Sequence, residues 1–269
     1  MTEAAHTQLK FTALDGGDEI ATLLLNRPSQ ANAFSAQMMD EITMHLLSLK
    51  ERAGLRALVI TGAGKHFSAG ADLEWMRSSA KLSFDENIKD ATRLRSMFEA
   101  LVGLSIPKIA AIKGAVYGGA VGLVACCDFA VALESAKFCL SETKLGLLPA
   151  VIAPYLGRKM RPGQLRRAAL TARVFDAHEA KDIGLVEVVA SDLDAAVLTE
   201  MNALLACGPA AQKSVNELFE TLRDRSNAQC DETVQAIAKA RTGSEGQAGL
   251  AAFFEKSVPM WVKTTSSYL

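Results

Sequence analysis

The sequence has little from which a metal centre, a disulfide framework or a strongly charged docking surface could be built. Its five cysteines, Cys126, Cys127, Cys139, Cys207 and Cys230, show no metal-ligand spacing, and an odd count leaves no complete set of pairs. Buried, reduced thiols are expected instead, with no metal site. Lys and Arg total 29 against 30 Asp and Glu, a formal net charge of -1 with a pI near 6.4. That balance removes any global electrostatic case for nucleic acid or an anionic membrane as partner. Only a local cationic patch is left to hold phosphates.

Long hydrophobic runs are missing as well. Charge interrupts every apolar stretch before it could span a bilayer, and the first ten residues lack the apolar centre of a signal peptide. The expectation is a cytoplasmic protein with no membrane partner. Internal repeats and low-complexity tracts are absent. Gly114 to Gly122 does not spell G-x-G-x-x-G and follows no N-terminal βαβ unit, and Ser68 lacks the G-x-S-x-G elbow of a nucleophilic serine. His6, His45 and His178 are scattered and read as solvent-facing or structural.

What is present is core-forming material: 49% of the 269 residues are hydrophobic, enough for a substantial core in one domain with a helical appendage. Residues 20–25, 57–61, 109–112, 129–132 and 137–140 read as strands. Ser35 offers an N-cap to a helix in which Met39, Ile42, Leu46 and Leu49 share a face, and residues 84–104 read as a second helix. Beyond Pro162 the pattern turns helical, most clearly over 177–183, 193–206, 210–223 and 231–241. The fold class expected is α/β, a stacked core over 1–190 with a helical region over 191–269.

Three stretches carry chemistry. Glu142 lies in Ser141-Glu142-Thr143-Lys144-Leu145-Gly146 directly after a strand, where an apolar loop would desolvate it and raise its pKa toward the proton-trading range. His66-Phe67-Ser68-Ala69-Gly70-Ala71-Asp72-Leu73 and Gly114-Ala115-Val116-Tyr117-Gly118-Gly119-Ala120-Val121-Gly122 each read as strand, small-residue turn, helix. Either alone would be read as close packing of helix on strand. Together they offer unpaired N–H groups at the positive ends of two helices, the makings of an oxyanion hole. Asp72 and Asp128 read as helix-start or loop-fixing groups.

With Leu25-Asn26-Arg27-Pro28 and Asn32-Ala33, Pro107 through Gly114 into Gly118-Gly119, Cys127-Asp128, and the segments 177–186 and 245–256, these pieces keep a specific order and spacing. Over nearly its whole length the chain resembles the enoyl-CoA hydratase/isomerase, or crotonase, family. It is most similar to bacterial hydratases of methylglutaconyl- and isohexenylglutaconyl-CoA.

The resemblance implies a crotonase-like core of stacked ββα units and a C-terminal helical region for oligomerisation, as a trimer or a dimer of trimers. It implies that the N–H groups of Ala71 and Gly119 bind the thioester oxygen and that Glu142 is one of the family's two catalytic glutamates. Gln30, Ala31, Ala33 and Ala69 would line the coenzyme A channel. Gly70, Asp72, Leu73, Gly118, Gly122, Leu145, Pro149, Ala150 and Val151 would surround the substrate, and Phe254 and Lys263 would reach a neighbour's nucleotide. No metal or redox cofactor is implied, coenzyme A being part of the substrate.

Two departures from the pattern stand out. Gly122 occupies the place of the second glutamate, and Pro149-Ala150-Val151-Ile152-Ala153-Pro154-Tyr155 replaces a proline and glycine-rich turn. Glycine at 122 is expected to leave space and remove a negative charge, favouring a substrate with its own carboxylate. The activity implied is hydration of a branched, glutaconyl-type 2-enoyl-CoA in leucine or acyclic terpene catabolism. The alternatives are a Δ3,Δ2-enoyl-CoA isomerase using Glu142 as a single proton shuttle, and a noncatalytic homologue that binds coenzyme A or RNA. Nucleic acid is not the expected partner.

Overall fold

The computed structural model describes residues 5–79, 82–221 and 244–267. A six-stranded sheet is built from β1 (Thr7–Ala13), β2 (Glu19–Leu25), β3 (Leu55–Gly62), β4 (Lys108–Ile112), β6 (Phe129–Leu133) and β9 (Val188–Ala190), in the order β1-β2-β3-β4-β6-β9. Only the β1–β2 pair is antiparallel. β3 and β4 are buried along their whole length, as strands covered on both faces must be, which explains their unbroken apolar reading. A second, three-stranded sheet holds β5 (Ala115–Tyr117), β7 (Lys137–Cys139) and β8 (Phe175–Asp176).

The chain climbs between the two sheets one unit at a time. β4 passes into β5 and then α4 (Gly119–Ala125), and β6 passes into β7 and then α5 (Ala153–Lys159) and α6 (Pro162–Thr171). The unit before them runs from β3 through a single bridge, Ser68 to Val116, into α2 (Leu73–Ser79) and α3 (Phe84–Val102). The second glycine stretch therefore differs from its expected form: between strand and helix it inserts β5, with Gly114 and Gly118 turning the chain twice.

Local signals account for the helix starts. The hydroxyl oxygen of Ser35 accepts from the Met38 N–H at the head of α1 (Ala36–Leu49), whose Met39, Ile42, Leu46 and Leu49 are buried. Ser83 and Glu86 form a capping box on α3. α7 (Ala177–Asp182) and α8 (Leu193–Leu205) are capped by Asp176 and Asp192.

The helix expected over 193–206 is α8, and its Leu193, Val197, Met201 and Leu205 pack with Ile20, Val59, Ile109 and Val131 of the large sheet. The first helix past residue 190 thus covers one face of that sheet. Arg56, almost fully buried, ties the chain beyond α8 to the core through the carbonyls of Cys207 and Trp261 and the carboxylate of Asp18. α9 (Pro209–Thr221) is joined to the helix Ser244–Glu255 by the Glu245 carboxylate, which accepts from the N–H groups of Ala210 and Ala211. The helix expected over 231–241, Cys230 and the side chain of Phe254 lie outside the described residues.

Cys126, Cys127 and Cys139 are buried, and burial pushes the thiols of the first two up, that of Cys127 to about 12. Cys207 is exposed, against the expectation that every thiol would be buried. Its place at the end of α8 explains that. Among the described residues no helix is long and apolar enough to cross a membrane.

Candidate active site

Three loops from successive units meet at one edge of the stack, and a buried asparagine staples two of them. Asn32 is fully buried at φ +55; its Oδ1 accepts from the Arg27 N–H at 2.8 Å, and its amide donates to the carbonyls of Ala63 at 2.9 Å and His66 at 2.8 Å. Arg27 completes the clasp, donating to the Ala33 carbonyl and pairing with Asp72 at 2.9 Å. Burial works to raise the Asp72 pKa, but the N–H groups of Trp75 and Glu74 and the Arg27 guanidinium outweigh it and hold it below the ordinary value. Asp72 is thus the cap of α2 and a loop-fixing group.

The same clasp orients Ala71. Phe34 forms a parallel bridge with it, in which the Phe34 N–H donates to the Gly70 carbonyl and the Asp72 N–H to the Phe34 carbonyl. Pairing of this kind uses the neighbours of Ala71 and turns its own N–H to the other side. Gly70, at φ +91, lies so near the Tyr117 carbonyl that a Cβ would sit 2.6 Å from that oxygen, bringing the two glycine loops into backbone contact. Gly118, at φ +52 and ψ -123, turns the chain into α4 so that Gly119 is its first residue. Among the described residues the N–H groups of Ala71 and Gly119 have no protein acceptor. Both residues line one cavity, and two N–H groups free on one wall can receive an oxygen that gains negative charge.

Glu142 opens a single helical turn, Glu142–Leu145, after β7. Thr143 anchors that turn by donating its hydroxyl to the Ala169 carbonyl of α6 at 2.8 Å, and the Leu147 N–H donates to the Glu142 carbonyl. The carboxylate faces Gly118, whose Cβ would lie 3.4 Å from Oε1. Oε2 is buried without a hydrogen-bond partner. Burial raises its pKa, opposed only in part by its own backbone N–H. A carboxylate with one oxygen kept partnerless in a cavity with two free N–H donors can take a proton from one atom of a bound molecule and return it to another.

The cavity these groups share has a volume of about 660 Å³. Of the residues expected around the substrate, Ala69, Ala71, Leu73, Gly118, Gly119, Glu142, Leu145, Pro149, Ala150 and Val151 are on its wall. Six are not, each for a visible reason. Gln30 is exposed and takes the Ser29 hydroxyl, the Ala31 carbonyl accepts from the Ala69 N–H, and Ala33 is buried beside Phe34. Gly70 is pressed on Tyr117, and Asp72 is turned to Arg27.

Gly122 is the instructive correction. It is buried and leaves no space, since a Cβ there would lie 2.3 Å from Ile152 Cγ2 and 3.1 Å from Phe98 Cζ. Ile152 of the 149–155 segment fills the volume and is itself on the cavity wall. The two departures from the family pattern are therefore one feature: the altered turn supplies the side chain that glycine 122 admits.

Sequence reasoning missed much of the rest of the wall: Phe34 from the first loop, Trp75, Met76 and Ser79 from α2, and Asn87, Asp90, Ala91 and Leu94 from α3. The only signal was that α2 and α3 follow directly on the Ala71 loop. Lys263 is half-buried, its N–H donating to the Leu205 carbonyl.

The chain belongs to the enoyl-CoA hydratase/isomerase family, whose sequence model matches residues 15–264. An enoyl-CoA hydratase from Shewanella pealeana shares its fold at a TM-score of 0.90 and 39% identity, over 96% of this chain and 97% of that one. A putative enoyl-CoA hydratase/isomerase from Legionella pneumophila gives 0.85 and 36%, over 95% and 99%. A putative enoyl-CoA hydratase of Thermus thermophilus is 32% identical over 246 residues, 89% of this chain and 96% of its own.

Proposed function

We propose that the protein adds water to a 2-enoyl-CoA thioester with Glu142 as its single acid–base group. The observation that carries the reading is the meeting, in one cavity, of the partnerless Glu142 Oε2 with the free N–H groups of Ala71 and Gly119. Water bound to the Glu142 carboxylate loses a proton to it as the water oxygen bonds to the β carbon. The π electrons of the double bond move toward the thioester oxygen, which the two N–H groups hold as an enolate. The enolate then collapses, and Glu142, now a carboxylic acid, gives its proton to the α carbon. One water is consumed and Glu142 ends ionised. Each oxyanion donor supplies about 3 to 4 kcal/mol of barrier lowering, so positioning and proton transfer carry the remainder. The proposal calls for no metal or redox cofactor.

The finer acyl assignment, a glutaconyl-type thioester such as 3-methylglutaconyl- or isohexenylglutaconyl-CoA in leucine or terpene catabolism, rested on space and lost charge at Gly122. Ile152 removes the argument from space; the argument from charge is kept, since an isoleucine now stands where an acid would. That thioester is the second reading. The proposal places the enzyme in the cytoplasm as a homo-oligomer, a trimer or dimer of trimers, in keeping with large apolar side chains left exposed at Phe219, Val258 and Met260.

A turnover assay with crotonyl-CoA, 3-methylglutaconyl-CoA and a 3-enoyl-CoA tests the reading. Water addition to a 2-enoyl thioester supports it. Rapid movement of the 3-enoyl double bond with no water addition replaces it by the single-glutamate isomerase, and no turnover of any of them leaves a binding protein.

A further inference from the structure

The side of the cavity formed by α2 and α3 carries polar groups that the proposed chemistry does not use: Trp75 and Ser79 on α2, and Asn87 and Asp90 on α3. Their donors are all committed. The Trp75 indole N–H goes to Asp90 Oδ1 at 3.1 Å and the Ser79 hydroxyl to Asp90 Oδ2 at 3.0 Å, while the Asn87 amide donates to the carbonyls of Leu82 and Ser83. Arg93 reaches Asp90 Oδ1 at 3.3 Å but is shared with Asp40 at 3.0 Å, so one positive charge lies between two carboxylates. Among the described residues on the cavity wall there is no Lys or Arg, and the charged groups are Glu142 and Asp90.

We propose that Asp90 is a specificity-determining residue: it selects against acyl groups that end in a free carboxylate and receives those that are apolar or carry a distal hydroxyl or amide N–H. This rests on the reading of the cavity as the acyl-CoA site. A second carboxylate brought into a cavity that already holds two, with no Lys or Arg among the described residues of its wall and no uncommitted side-chain donor on this side, meets like-charge repulsion. A neutral chain meets Leu94, Met76 and Ala91. Among the described residues Asp90 Oδ2 accepts a single hydrogen bond, and a carboxylate oxygen can take two, which leaves it able to receive one more donor. The proposal and the glutaconyl reading thus make opposite predictions.

The test uses the full-length protein and two saturated, unreactive thioesters that differ only in the distal group: 3-methylglutaryl-CoA, which ends in a carboxylate, and 3-methylpentanoyl-CoA, which ends in a methyl. Calorimetric dissociation constants are measured for the native protein, Asp90→Asn and Arg93→Gln. The native protein is expected to prefer the neutral thioester by about tenfold or more. Asp90→Asn keeps the acceptor for Trp75 and removes the charge, so the preference shrinks; Arg93→Gln removes the counter-charge, so it widens. Loosening of the wall by either variant would move both in the same direction, which sets a structural role apart from an electrostatic one.

A native preference for the dicarboxylic thioester overturns the proposal. So does a ratio unmoved, or moved in the same sense, in two folded variants. Failure to bind either thioester overturns both this proposal and the acyl-CoA reading. Binding with the expected preference, but with no hydration of 2-enoyl-CoA, removes the hydratase reading and leaves the Asp90 proposal standing.

Discussion

Alanine at position 122 should be destabilising in the native protein and stabilising in one other background. A Cβ at Gly122 would overlap Ile152 Cγ2 at 2.3 Å and Ile152 Cβ at 2.8 Å, with Phe98 Cζ at 3.1 Å. Overpacking of this kind costs about 1 to 3 kcal/mol. At about 2 to 4 °C per kcal/mol for a chain of this size, Gly122→Ala should lower the melting temperature by about 2 to 12 °C. Ile152→Ala would not relieve the clash, because its Cβ stays; Ile152→Gly removes both overlapping atoms. In that background alanine 122 fills part of a void and replaces a helical glycine, gains of about 1 kcal/mol each. The sign of the substitution should therefore reverse, with an interaction of about 3 to 5 kcal/mol in the double-mutant cycle. Differential scanning fluorimetry of the four proteins at one concentration decides it. Equal melting temperatures for native and Gly122→Ala, or no reversal with Ile152→Gly, would refute the account of Gly122 as a site already filled.

Glu142→Gln should lower kcat by about 100-fold or more while leaving the fold intact, because the amide keeps the shape and exchanges no proton at neutral pH; retention of most of the native kcat moves the acid–base role elsewhere. Hydration needs the ionised carboxylate, and burial raises its pKa, so kcat/KM should fall with acid through a midpoint above the ordinary 4.5; a midpoint at or below that value refutes the role of burial. The same shift runs the other way for stability: ionising a buried carboxyl costs the folded state as pH rises through the raised pKa, so Glu142→Gln should gain in melting temperature over native at neutral pH and lose that gain in acid. Gly119→Pro should cost about 100-fold in kcat by removing the N–H, while Gly119→Ala, whose Cβ meets Phe34 at an ordinary 3.5 Å, keeps most of it; similar rates for folded forms of both exclude this donor. Asn32→Ala leaves three part-buried backbone groups unpaired and puts alanine at a left-handed position, and a loss of stability under about 2 kcal/mol in chemical denaturation would show the loops are held by something else.

Whatever depends on residues near one another in sequence could be read from it. Ser35 as a cap, the apolar face of Met39, Ile42, Leu46 and Leu49, and the fully buried strands around Ala57 and Ile109 are local patterns, and each is where it was expected. β1 escaped notice because it is an edge strand in which only Thr7 is buried, so its sequence lacks an apolar face. β8 and β9 are too short to leave a period at all. In the site, strand ends and small-residue turns marked the stretches that hold Glu142, Ala71 and Gly119, the family resemblance marked the residues themselves, and all three line one cavity. The pairing of Gly122 with Ile152 was not, since it is a contact across thirty positions that only the stacking of α4 on α5 creates. The Asp90 wall escaped for the same reason: nothing in the spacing of residues 75 to 94 says that two helices turn their inner sides to a strand-end carboxylate.

The two halves of the site are written in different materials. In the proposed reaction the groups that receive the oxygen are main-chain N–H groups of Ala71 and Gly119, on loops held by Asn32 and by the turn at Gly118, and most substitutions at the cavity surface leave them as they are. The group proposed to handle protons is a side chain, Glu142 after β7, and the place a second would take, Gly122 in α4, lies on a different unit of the stack. A lineage built this way can alter the fate of an enolate by exchanging a pair of packed residues, as at Gly122 and Ile152, without rebuilding the means of forming it. Divergence of reaction would then come cheaply, and overall sequence likeness would track the enolate-forming frame far better than the product that leaves it.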